Sequence, residues 1–442
     1  MKKRILSSLI LCCVVCFVSA DPIGPAKALK IASSYLQEEV PMARVTPLRR
    51  GTTRSISEAD SVAPLYIISR GENAGFVIVS GDNSLPEIIG YTDSGDFVES
   101  EMPPALLDML QGYANIVEEA QKTGLPARTV QRAAAERVAI KPLIEAHWHQ
   151  TAPYNNLAPF LTGTTNRAVT GCTCTAAVMV LHYFRRDLPN QLLASTPTYS
   201  YGDAPVTVSY PKGTPIEWDL MLNSYNSSYP TEMGNAVAVL NAAFGAGIWQ
   251  TYGSSTSGQI ANIVDGYNSY FNMSSTCQYQ NGTSQTSWEN TIYNNLSNKQ
   301  PMVYAGVHAS QGGHAIILDG YNPKGNLFHF NFGWGGQGDG YYTLDAETGI
   351  NGFAGQQGMV YNIAPKKPNL TAKLYADKQM MKRTENTIRV VATNNGTLDY
   401  SGFNVYWATN DRKPSSSTTV SASDKELKLA TGESGEFTVT FK

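Results

Sequence analysis

The chain has 442 residues, 42% of them hydrophobic and 16% charged, with a formal net charge of −3. That length and apolar content support a large core divided among two or three domains. The near-neutral balance gives neither the basic field expected of a nucleic-acid partner nor a polybasic membrane patch.

The opening stretch, MKKRILSSLILCCVVCFVSAD, has a basic start, an apolar run too short for a comfortable membrane span, and a Val-Ser-Ala ending before Asp21. It reads as a secretory signal over residues 1–20, so the mature protein is expected to be secreted or held at the cell surface, with no membrane span. A lipoprotein signal needs small residues before its cysteine, where Leu11 and Val15 stand. Cys12, Cys13 and Cys16 leave with the signal, and Cys172, Cys174 and Cys277 remain. Three is an odd number in an oxidising compartment, so at least one thiol stays unpaired.

Residues 21 to about 120 read as a small α+β block. PAKALKIASSYLQEEV carries helical spacing, APLYIISR and AGFVIVSGD read as strands, and PPALLDMLQGYANIVEEAQKTG is an amphipathic helix with Pro at its start and Gly at its end. LPARTVQRAAAERVAIKP follows, with Arg128, Arg132 and Arg137 among small residues, a composition suited to proteolytic nicking. The block from Pro142 to about Pro365 is dense in His, Trp and Gly. Beyond it, NTIRVVATNNG, SGFNVYWATN and GEFTVTFK alternate like the strands of a small β-sandwich, ending abruptly in a strand as a truncated chain would.

VTGCTCTAAVMVLHYF raises the question of what paired thiols are for. A single residue separates Cys172 from Cys174, too close for the usual zinc clip, and a disulfide between them is strained at that spacing. His147 and His149 do not make a convincing other half of a metal site, and no metal is expected. A Cys174–Cys277 disulfide stays open and would leave Cys172 free. Thr170 and Gly171 are helix-start residues, and the following run is apolar nearly all round. Cys172 therefore stands at the N-terminal end of a buried helix, where amide N–H groups and the helix dipole favour a thiolate. The competing reading is a small buried cysteine, the usual fate of a free thiol. A base is available in GGHAIILDGYNPKGNLFHFNFGWGG. His314 follows two glycines and opens a strand, while the alternation in FHFNF puts His329 and Asn331 on one face and Phe328, Phe330 and Phe332 on the other. An imidazole held by a carboxamide keeps the tautomer needed to take a proton from a thiol. The plainer alternative is a glycine-rich hairpin with a core histidine.

HWHQTAPYN, TGCTCTA, GGHAIILDG and HFNFGWGG stand in the order and approximate spacing of the streptopain family of papain-like cysteine proteases. The resemblance runs from about Trp148 to Asn362 and is strongest to the interpain-type secreted members. GFVIVSGD and IIGYTDSGDF resemble that family's inhibitory prosegment. The resemblance implies Cys172 as nucleophile, His314 as general base, and Gln150 as a side-chain donor to the oxyanion hole. Asn331 and Trp334 would orient and shield the base. Gly313 would touch substrate through its backbone, as would Ser257, although the loop spacing there is shifted by one residue. Two departures stand out: Phe332 replaces a family tryptophan, and Cys174 replaces a small apolar residue.

The implied fold class is α+β: signal peptide at 1–20, inhibitory prosegment at 21–135, papain-like domain at 136–365 and C-terminal β-sandwich at 366–442. The implied function is a cysteine endopeptidase made as a zymogen, cut near residues 123–141 and favouring a hydrophobic side chain two positions before the scissile bond. Its partners would be protein and peptide substrates and its own prosegment, with no cofactor. A transglutaminase-like acyl transferase and a surface adhesion factor with secondary proteolysis are the alternatives.

Overall fold

The computed structural model describes residues 21–41, 44–49, 52–53, 62–83, 85–124, 137–200, 207–226, 228–308, 312–344, 355–366, 370–376, 385–396, 400–401, 421–422, 427–430 and 432–441. The signal at 1–20 and the linker residues Arg128 and Arg132 lie outside these. Among the described residues no helix is long and apolar enough to cross a membrane.

The N-terminal block runs α1 (Pro25–Leu36), β1 (Val45–Arg49), β2 (Thr52–Thr53), β3 (Leu65–Ser69), β4 (Phe76–Ser80), β5 (Ile88–Tyr91) and α2 (Pro104–Thr123). Proline fixes the first turn of α2 and Gly124, at φ 65°, closes it in the left-handed region, as the sequence suggests. The central block continues with α3 (Cys172–Phe184), β6 (Tyr199–Ser200), β7 (Thr207–Val208), α4 (Thr231–Gly247), α5 (Ile260–Phe271), β8 (Met273–Tyr279) and α6 (Gln285–Ser297). It then forms β9 (Met302–His308), β10 (Gly312–Asn322), β11 (Leu327–Asn331), β12 (Gly340–Tyr342) and β13 (Gly355–Pro365).

The two blocks share one antiparallel sheet of eleven strands, in the order β2-β1-β3-β4-β5-β12-β11-β10-β9-β13-β8. The seam is the β5–β12 pairing, with Tyr91 opposite Tyr341 and Gly90 opposite Tyr342. On one side of the sheet α3 runs through a core with Val237, Phe244, Tyr267 and Phe271, and its residues from Thr173 to His182 are all buried. On the other, Leu106, Met109, Leu110 and Val117 of α2 join Phe328, Phe330, Phe332 and Tyr342. The aromatic face of β11 expected from alternation is thus the face that α2 covers. Burial of an aliphatic side chain of this size is worth about 1.5–3 kcal/mol, and α2 gains it from a core that both blocks build, with Leu65, Ile67, Phe76 and Ile78 of the N-terminal block beside the aromatic side chains of the central one.

The C-terminal segment contributes β14 (Leu370–Tyr375), β15 (Asn386–Asn394), β16 (Tyr400–Ser401), β17 (Ser421–Ala422), β18 (Lys428–Leu429) and β19 (Ser434–Phe441). These make a four-stranded sheet ordered β14-β15-β19-β17 and a two-stranded sheet, β16-β18. Much of the expected sandwich at 366–442 lies outside the described residues.

Candidate active site

Cys172 is the first residue of α3, and the residue before it must be glycine for two reasons. Gly171 sits at φ 80°, and a Cβ there would meet the Thr256 carbonyl oxygen at 2.9 Å. Below it, Thr170 and Thr175 share a hydroxyl hydrogen bond of 2.7 Å, and the Thr175 N–H donates to the Gly171 carbonyl at 3.0 Å. The helix start is therefore fixed from both sides.

Strand β10 delivers the partner. The Ala315 N–H donates to the Cys172 Sγ at 3.3 Å, and the neighbouring His314 side chain hydrogen-bonds the same thiol. Burial alone would push the Cys172 thiol up. The His314 hydrogen bond and charge, with the Ala315 and Thr173 amides, outweigh it and hold the thiol below its ordinary value. Burial likewise lowers His314, but Asp108 and Cys172 more than offset this and push it up to about 9. The Asp108 Oδ2 lies 3.3 Å from the His314 Nε2, with only 11% of the Asp108 side chain exposed. Thiol and imidazole are thus arranged to exchange a proton.

The other thiols face elsewhere. Cys174 is buried and donates to the Asn241 carbonyl at 3.4 Å, and burial pushes its thiol well up. All three thiols are free, including the half-buried Cys277. Among the described residues no group of three or more His, Cys, Asp or Glu converges as a metal site.

The remaining candidates surround this pair. The Gln150 carbonyl accepts from the Thr170 N–H at 3.0 Å, which places its backbone beside a residue two positions before Cys172. Trp334 packs against His149, with ring centroids 4.7 Å apart, and the Gly335 N–H donates to the Trp148 carbonyl at 2.9 Å. Gly313 is exposed beside His314 and pairs with Val307 of β9. Ser257 pairs with Thr251 through both backbone N–H groups, and its neighbour Gly258 accepts from the Thr173 hydroxyl at 3.1 Å. Asn331 is buried, donates to the Ala146 carbonyl at 3.0 Å and accepts from the Gly333 N–H at 3.0 Å. In this state its amide braces the start of the glycine-rich turn, and the carboxylate beside His314 is Asp108.

Residues 148–342 match the Peptidase C10 family, and residues 20–117 match the Spi protease inhibitor family. Streptopain of Streptococcus pyogenes serotype M1 is 30% identical over 335 residues, covering 68% of this chain and 80% of that protein. The thiol protease/hemagglutinin PrtT of Porphyromonas gingivalis is 26% identical over 394 residues, covering 82% of this chain and 44% of that protein. A solved fragment of Prevotella intermedia prointerpain A superposes with a TM-score of 0.59 at 25% identity, covering 73% of this chain and all of that fragment. The chain belongs to the Peptidase C10 family. It is a cysteine protease made with an inhibitory prosegment.

As a C10 precursor, the molecule holds its prosegment across the site. A Cβ on Gly338 would lie 2.8 Å from the Leu106 Cδ2 and 3.2 Å from the Pro103 Cδ, so the first turn of α2 rests directly on the glycine-rich turn that carries Trp334. The partners of three carboxylates escape the motif reading. Asp108 reads in sequence as one polar position of an amphipathic helix. Asp319, fully buried, accepts from His329 Nδ1 at 2.6 Å and from the Ile144 N–H at 2.9 Å, which makes His329 a structural partner. Asp339 accepts from the Phe332 N–H at 2.8 Å and faces His147 Nδ1 at 3.2 Å, tying the turn to the chain before Trp148. In the last two cases a local signal was present, since Asp319 stands inside GGHAIILDG and Asp339 three residues after HFNFGWGG.

Proposed function

We propose that Cys172 and His314 are the catalytic pair of this protease, with Gln150 as an oxyanion donor. The observation that carries the reading is the thiol at the start of a buried helix, held by the Ala315 N–H and the His314 imidazole. The Cys172 thiolate attacks the peptide carbonyl carbon, and the oxygen takes the negative charge between the Gln150 carboxamide and the Cys172 N–H. The His314 imidazolium gives its proton to the leaving amine as the C–N bond breaks, leaving a thioester. Water then attacks that thioester while His314 takes the water proton, and the thiolate departs with the acid product released.

Asn331 and Trp334 serve this pair by holding the wall of the site, and Gly313 and Ser257 offer backbone groups to an extended substrate. The family resemblance supports a hydrophobic side chain two positions before the scissile bond. The basic, apolar opening sequence supports export, and the three domains follow the boundaries 21–135, 136–365 and 366–442. Hydrolysis of a denatured protein by the matured chain, with and without reductant and a thiol alkylator, tests the reading. Activity that requires reductant and vanishes on alkylation of Cys172 supports it, whereas activity that survives alkylation of Cys172 contradicts it. Added amines that become joined to acyl groups, with little hydrolysis, would favour the transferase alternative.

A further inference from the structure

Helix α2 belongs to the prosegment and is apolar where it meets the sheet, yet it places one carboxylate in the contact. Asp108 lies between the buried Leu106 and Met109, and Ala105 and Gly112, one turn to either side, are buried too. Burying a carboxylate costs several kcal/mol unless a charged or hydrogen-bonded partner compensates it. The Asp108 Oδ2 finds His314 Nε2 at 3.3 Å across 206 residues of sequence. Steric cover needs no charge: Pro103 and Leu106 already lie against Gly338. An apolar residue at position 108 would cover the site at less cost.

We propose that Asp108 is a latency residue, holding the His314 imidazole as an imidazolium–carboxylate pair, so that the prosegment recognises the charge state of the site as well as its shape. This rests on the assignment of His314 as the catalytic base. An imidazolium kept by Asp108 gives up its proton less readily to a leaving amine and cannot take one from water, so both halves of the reaction are slowed while α2 is docked. The ionisable groups acting on His314 are Asp108 from α2 and Cys172 from α3; on β10 itself, Asp319 is committed to His329. Because the pair needs a protonated imidazole, it is fully formed below the ordinary imidazole range and is lost as pH rises through the raised value of about 9.

The test compares full-length precursors carrying Asp108, Asp108→Asn or Asp108→Glu. All three mature into a product that lacks residue 108, so the ratio of their activation lags at one pH cancels the pH dependence of catalysis. Asp108→Asn is expected to shorten the lag about tenfold at pH 7, Asp108→Glu by less, and the difference from wild type should close as pH passes 9. In the same chains bearing Cys172→Ala, NMR titration should show the His314 pKa falling by about one unit or more on Asp108→Asn. That titration reads the pair even in a chain that hydrolyses nothing, so failure of the catalytic assignment and failure of this inference give different results. Equal lags at every pH, or a His314 titration indifferent to Asp108→Asn, would overturn the proposal.

Discussion

Tyr91 of the prosegment and Tyr341 of the catalytic block stack at a centroid distance of 5.2 Å and an interplanar angle of 14°, across the seam where β5 pairs with β12. The prosegment is therefore an extension of the catalytic sheet as well as a lid over the cleft. Its release bares two strand edges and the apolar face under α2.

Gly90 makes that seam sensitive to a single atom. A Cβ there would stand 2.3 Å from the Tyr342 Cδ1 and 2.7 Å from the Tyr341 carbonyl oxygen. Gly90→Val should loosen the prosegment, shortening the activation lag several-fold, while the fully matured enzyme keeps its kcat/KM. A progress curve of self-activation checks this, and an unchanged lag would mean that the seam adds little to latency.

The two neighbouring thiols should behave oppositely. Cys172→Ala should abolish proteolysis and leave a folded precursor that is processed only when active enzyme is added. Cys174→Ala removes a buried neighbour bonded to the Asn241 carbonyl and should keep most activity. Equal inactivation of both, with circular dichroism showing both folded, would reverse the assignment.

Processing should fall before Arg137. Its guanidinium, 8% exposed, pairs with Glu289 at 3.4 Å and sits over the rings of Tyr293 and Tyr321 at 5.0 and 5.6 Å. The next residues are pinned by Val138 N–H to the Tyr293 hydroxyl and by the Ile140 bridge to Tyr321. Mass spectrometry of the matured chain should place its first residue between 125 and 137, within the wider 123–141 expected from sequence. A start beyond 137 would contradict this.

Asn331→Ala leaves the Ala146 carbonyl and the Gly333 N–H without their buried partner. The cost should be about 1–3 kcal/mol of stability, read from chemical denaturation of the Cys172→Ala chain. In the matured enzyme the loosened turn should lower kcat by about tenfold, or about 1.4 kcal/mol of barrier, with little change in KM. Normal turnover would leave the pair positioned by packing alone.

The Asp319–His329 pair predicts a pH signature. Burial lowers His329, but Asp319 more than compensates, so its pKa is raised. Such a group contributes stability that is complete below about pH 6.5 and is lost as pH rises through the raised value. Asp319→Ala should cost about 3–5 kcal/mol, and the thermal midpoints of wild type and variant should lie further apart at pH 6 than at pH 9.

Local chemistry made much of this legible. Pro104 and Gly124 bracket α2 in the sequence, and the glycine before Cys172 announces a helix start. The alternation in FHFNF separated the Phe face from the His329 and Asn331 face correctly, because strand geometry alone fixes it. Alternation says nothing about partners, however, and Asn331 bonds to Ala146, 185 residues away. The β5–β12 seam and the Asp108–His314 contact were equally hidden. Both join segments more than 200 residues apart, and a single aspartate in an amphipathic helix looks like any solvated position until the surface it meets is known.

Whether His314 sustains a thiolate at Cys172 is read from the rate of Cys172 alkylation against pH in the matured chain. With the modified cysteine identified by peptide mass, rapid alkylation should persist well below the ordinary thiol range of about 8.5, and His314→Ala should return the profile to that range. A profile that follows an ordinary thiol, and does not change when His314 is replaced, would contradict the account.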